Sequence, residues 1–266
     1  MKNIAQLALA AVAAFHLGSC STDDSTAELT GAGIVKLEFD NSVSGDDLIL
    51  GAASYTNSQG ETLKVTRLNY IVSNFRLTDA DGTVFTYPKA NGYFITSEET
   101  GATEIVLENI PAGRYTTLTF GLGVDQEKFL QGAEGQGDLL AAAEANNMMW
   151  AWQAGYKFLN FEGTFTSSSV AEPTIYQIHM GSHGSSLDNY KEVTLALPEN
   201  ALVSSTLNPI IHVVTDCGAI LDGNNKIALS EGAVIMVNAE KSPKIAVNAS
   251  GMFSVDHVHN GDGASH

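Results

Sequence analysis

MMWAWQAGYKFLNFEG, residues 148–163, holds both tryptophans of the chain, Trp150 and Trp152. Tyr156, Phe158 and Phe161 follow them, and Met148 and Met149 come just before. Side chains alternate across an extended strand, so Trp150, Trp152, Ala154, Tyr156 and Phe158 would share one face. That face carries most of the bulk and is expected to be buried, with two indole N–H groups in need of partners. Two readings stand open. One is a core strand with an aromatic ladder; the other is an electron-rich site beside thioethers, suited to redox chemistry or soft-metal binding.

On either side of this stretch, strand signals dominate. Residues 34–39 (IVKLEF), 62–70, 74–77, 83–87, 93–96, 104–107 and 115–121 carry short alternating patterns, and 174–180, 192–197, 209–215, 227–229 and 233–238 continue them. Asp79-Ala80-Asp81-Gly82 reads as a hairpin turn; the later ligand positions of an EF-hand calcium loop are missing after it. Helical signal concentrates around 125–145, with Asp138 placed as an N-cap and Asn146-Asn147 as the end. Many short strands with turns every eight to twelve residues predict an all-β, mostly antiparallel sandwich or barrel-like domain, with one or two short helices around 125–145.

The N-terminus reads as targeting rather than structure. Lys2 precedes an apolar run, and Leu17-Gly18-Ser19-Cys20 has the pattern of a bacterial lipobox. Residues 1–19 are thus expected to be a lipoprotein signal peptide, with Cys20 the acylated first residue of the mature chain. Residues 20–32 form a small, polar tether, 33–260 a single β domain and 261–266 a tail. This places the protein in the cell envelope of a Gram-negative bacterium, held by its lipid anchor to the outer membrane and facing either the periplasm or the surface. With Cys20 acylated, Cys217 has no disulfide partner and is expected to be buried. A net charge of −17 disfavours nucleic acid as a partner.

Histidine supplies the remaining chemistry. His257 and His259 form His-x-His; on a strand they lie on one side about 6.6 Å apart, close enough to share a metal, with Asp256 as a possible orienting group. His179 and His183, about 13 Å apart on a straight strand, could meet only through a turn at Gly181. His212 sits in the apolar run PIIHVV and is expected to be buried. Histidine with methionine favours a soft or borderline metal, copper first. Hydrolase and phosphate-loop signatures are missing, so a binding protein is expected rather than an enzyme. A lipid-anchored sandwich that binds glycans or partner proteins without metal is the competing reading.

Residues 110–115 (IPAGRY), 120–125 (FGLGVD), 149–158 (MWAWQAGYKF) with Glu162-Gly163, His179 before Met180-Gly181, and the closing 256–259 (DHVH) run in the order of the MbnP-like family, which the chain resembles from about Gly33 to His259. That family comprises exported proteins associated with copper uptake and methanobactin operons. The resemblance implies a copper-binding β domain, with Cu(I) as the ion. It also implies a tryptophan oxidised to kynurenine by a partner dihaem protein of the cytochrome c peroxidase type. Carried over, Trp150 or Trp152 is the candidate for oxidation, and His179, His212, His257 and His259 are the candidate ligands.

Overall fold

The computed structural model describes residues 28–152 and 155–261. The expected signal peptide, Cys20, the first part of the tether and the last five residues of the tail lie outside them. In chain order the strands are β1 (Ala32–Val43), β2 (Asp46–Asp47), β3 (Tyr55–Thr56), β4 (Thr62–Asp79), β5 (Val84–Thr86), β6 (Tyr93–Ser97), β7 (Glu104–Pro111) and β8 (Gly113–Leu122), then β9 (Leu159–Thr166), β10 (Thr174–Met180), β11 (Lys191–Val203), β12 (Ile210–Asp216), β13 (Val234–Ile235) and β14 (Phe253–His259). The helices are α1 (Gln126–Phe129), α2 (Asp138–Ala145), α3 (Ala219–Asp222) and α4 (Lys241–Ser250). No helix among the described residues is long and apolar enough to cross a membrane.

These strands form two sheets. In the first, β1 pairs antiparallel with β7 and β2 and parallel with β12, and β14 closes antiparallel on β12. The second runs β11-β8-β4-β9-β10-β13, with β3, β5 and β6 also pairing along β4. Its pairings are antiparallel except β10 with β13.

β4 is the spine of the second sheet. Its first half alternates, Leu63 and Val65 inward against Thr62 and Lys64 outward, and then every side chain from Leu68 to Ser73 is buried. A strand covered on both faces loses its period-two signal, which is why 71–73 interrupts the sequence pattern. Asn74, at φ +53°, carries the chain through a bulge into 75–79. Asparagine tolerates that left-handed conformation better than most residues.

The two sheets pack face to face. Phe39 of β1 and Phe253 of β14 meet Tyr70 of β4 and Phe120 of β8 edge to face, with ring centroids 5.1–6.1 Å apart. Such pairs contribute roughly 0.5–1.5 kcal/mol each beyond their buried area. The Tyr70 hydroxyl donates to Asn41 Oδ1 at 3.0 Å and lies 3.3 Å from Thr215 Oγ1, so it braces one sheet against the other. Cys217 is fully buried, as expected, and burial followed by the charge of Asp216 pushes its thiol pKa well up.

The fold is the expected sandwich, with several local corrections. The tether ends early, because Thr30 and Gly31 already accept backbone bonds from Ser205 and Ala112. Gly137, not Asp138, takes the N-cap position of α2. Residues 227–229 are not a strand: Leu229–Glu231 is a turn of 3-10 helix whose first amides, Leu229 N and Ser230 N, donate to the Glu61 carboxylate. Of 233–238 only Val234–Ile235 pairs. Helix α4 lacked a sequence expectation altogether.

Candidate functional site

The largest correction falls on the tryptophan stretch, where 148–152 and 155–158 do not form a strand; Ala154 of the expected face lies outside the described residues. The chain leaves α2, the segments on either side of 153–154 pair with each other, and it becomes extended only at Leu159. Trp150 N bonds Gly155 O at 3.1 Å, Lys157 N bonds Met148 O at 2.6 Å, and Met149 faces Tyr156 in a single bridge. Gly155 has φ +123°, a backbone conformation that glycine adopts without strain and that makes the turn possible. Trp150 and Trp152 therefore do not share a buried strand face: Trp150 is 5% exposed and Trp152 57%.

The rings still meet, through the loop. Trp150 and Trp152 have centroids 5.6 Å apart. His183 lies 5.0 Å from Trp150 and stacks on Trp152 at 5.8 Å with a 12° interplanar angle. His179 lies 6.3 Å from Trp150. The turn at Gly181 brings both histidines to the same indole. A Cβ there would sit 2.3 Å from Tyr156 O and 3.2 Å from Trp150 Cζ2, so only glycine lets the two segments approach this closely.

His179 is held from behind. Its Nε2 donates to Glu162 Oε1 at 2.7 Å, and its Nδ1 is buried with no hydrogen-bond partner. A carboxylate can only accept, so the proton of the neutral ring is fixed on Nε2 and the lone pair on Nδ1. Glu162 also meets Arg67 Nη1 at 3.4 Å. The bond from His179, with the charges of Arg67 and Lys157, holds its pKa below the ordinary value against the opposing effect of burial. Lys157 Nζ lies 6.0 Å from the Trp150 ring, and burial lowers its pKa. Burial likewise lowers that of His183. The indole Nε1 of Trp150 is a second buried polar atom without a partner. Such a set, an oriented imidazole lone pair, a second imidazole and two indoles, suits a borderline or soft metal ion and electron removal from the rings.

The other three expected ligands are elsewhere. His212, His257 and His259 lie on β12 and β14 of the first sheet, whereas His179 lies on β10 of the second, so the four do not form one set. His212 is not buried as expected. Strand alternation turns Ile211 and Val213 inward and leaves the His212 ring on the outer face, stacked on His257 with centroids 4.1 Å apart. Among the described residues, no three His, Cys, Asp or Glu side chains are gathered in a way that would hold a metal.

Sequence reasoning left two residues of the cluster unassigned, His183 and Glu162. For His183 the signal was its place between Gly181 and Gly184, where a turn could bring it onto Trp150. For Glu162 the signal was its place in Glu162-Gly163, part of the motif that carries the family resemblance, which says nothing of its bond to His179.

A family model described as MbnP matches residues 32–238, most of the β domain, and stops before β14. Among solved structures, MbnP from Methylosinus trichosporium aligns at 15% identity with a TM-score of 0.48, covering 85% of this chain and 98% of that one. No curated protein matches the chain.

Proposed function

This chain belongs to the MbnP family, and from that premise we propose that it is an exported, lipid-anchored protein that binds copper at the tryptophan loop. His179 and His183 are the imidazole ligands, and Glu162 orients His179. Copper would bring a borderline-to-soft ion to these nitrogens, with Cu(I) the state such a site favours. Trp150 or Trp152 is the ring that a dihaem partner of the cytochrome c peroxidase type oxidises to kynurenine. The protein binds and presents the metal and is not itself an enzyme. One observation carries the reading: a buried, partnerless imidazole nitrogen whose ring is fixed by a carboxylate and stands beside the Trp150 indole.

The test is copper analysis of the purified protein loaded under reducing conditions, with intact-mass measurement of protein from its native cells. Wild type should retain copper, and His179→Ala should lower affinity at least tenfold, no less than the 10- to 100-fold expected for loss of an orienting group. Full retention in both His179→Ala and His183→Ala would remove the site from this loop. Unmodified tryptophans in cells making the dihaem partner would remove the oxidation but leave metal binding standing. The exposed ring of Trp152 keeps the second reading, a platform for glycans or proteins, open to the same experiment.

A further inference from the structure

We infer that the outer face of the first sheet carries a second metal site, for a divalent transition-metal ion, built on His212 and His257 and separate from the tryptophan loop. Cross-strand register sets Glu38 of β1 opposite His212 of β12, and His212 opposite His257 of β14. Side chains directly opposite one another on neighbouring strands have Cβ atoms about 4.5–5.5 Å apart, a span that two imidazoles bridge to one ion. Here the rings are already within 4.1 Å and 17° of parallel.

Each imidazole has its own carboxylate. Glu38 Oε2 lies 3.3 Å from His212 Nδ1, and Asp256 Oδ2 accepts from His257 Nδ1 at 2.8 Å. A carboxylate beside Nδ1 favours the proton there and leaves Nε2 as the donor nitrogen, the arrangement that orients histidines at metal centres. Two such pairs side by side are more than packing requires, because a stacked pair needs neither carboxylate. Nitrogen donors with carboxylates behind them select a borderline divalent ion, of the Zn(II), Ni(II) or Cu(II) kind. A chain of net charge −17 also concentrates cations at its surface. His259 lies on the same face two residues further along β14. Because the family match ends at residue 238, His257 falls outside it, and this site does not depend on the copper reading.

The experiment is calorimetric titration of Zn(II) into the metal-free full chain, alongside the absorption spectrum of the Co(II)-loaded protein. Wild type should bind Zn(II) and give a d–d band of nitrogen-ligated Co(II). Both should survive in His179→Ala/His183→Ala. In His212→Ala/His257→Ala the affinity should fall at least tenfold, and Glu38→Gln or Asp256→Asn should each lower it 10- to 100-fold. Should the double variant fail to fold, His257→Ala alone serves, since that side chain is half exposed. Zn(II) binding unchanged by loss of His257, or lost instead with His179 and His183, would overturn the site.

Discussion

Glu162 decides how the chemistry at the tryptophan loop is presented, although it touches neither indole ring in the way the histidines do. By accepting a hydrogen bond from the Nε2–H of His179 it leaves Nδ1 as a lone pair without another hydrogen-bond partner. Removing the carboxylate in Glu162→Ala frees the ring to flip and to change tautomer. Copper affinity measured by competition under reducing conditions should then fall 10- to 100-fold, with Glu162→Gln recovering part of the loss, because its amide oxygen still accepts a bond. Unchanged affinity in Glu162→Ala would separate Glu162 from the site. A structural consequence follows with a definite sign. The folded pKa of Glu162 is lowered, so the stability it contributes is present above its ordinary pKa and is lost as the pH falls through the folded value. At this scale the sequence showed the rings and His179 but not what joins them. Glu162 belongs to a family motif and His183 to a glycine turn, but neither pattern says that the fold sets one against His179 and the other on Trp150.

At the scale of elements, Asp125 does for the frame what Glu162 does for the site. It closes the motif FGLGVD, caps α1 by accepting from Lys128 N, and receives bonds from Asn74 of β4, Tyr93 of β6 and Lys89. Burial alone would raise its pKa, but the bonds from Tyr93, Asn74 and Lys89 overcome that and bring it to about 2. The folded value lies below the ordinary 3.8, so this contribution is present above about pH 4 and is lost as the pH falls toward 2. Asp125→Asn keeps the cap, since asparagine caps helices about as well, and removes the charge. It should cost on the order of 1–2 kcal/mol at neutral pH and flatten this part of the acid limb in urea titrations at pH 7 and pH 3. An unaltered acid limb would show that Asp125 is not what the acid titrates. Elements with simple periodicity were legible: 174–180 was read to the residue, and 34–39, 104–107 and 115–121 lie inside longer strands. The tryptophan stretch was not, because alternating aromatics mimic a strand and Gly155 gives no warning that the chain reverses. Helix α4 did carry a signal. Ser242, Ile245, Ala246 and Ala249 are buried at helical spacing, and Pro243 lies in the first turn, where a helix tolerates it.

At the scale of the whole molecule, the two sheets, their aromatic interface and the Tyr70 brace are complete within the described residues, and the first backbone groups they engage are the carbonyls of Thr30 and Gly31. The proposed attachment of the domain to a membrane runs through Cys20, in the pattern LGSC. Acyl chains bind a bilayer in proportion to the methylene groups they bury, about 0.8 kcal/mol each, and stable anchoring takes more than one chain. A chain of net charge −17 adds no attraction to an anionic lipid surface. Cys20→Ala should accordingly move the protein from the membrane pellet to the soluble fraction, while its urea unfolding midpoint matches that of the detergent-solubilised wild type. A mutant still held in the pellet after a high-salt wash would mean that some surface of the sandwich itself binds the membrane or a membrane protein. A soluble mutant with a lowered midpoint would mean instead that the segment before residue 28 contributes to the fold.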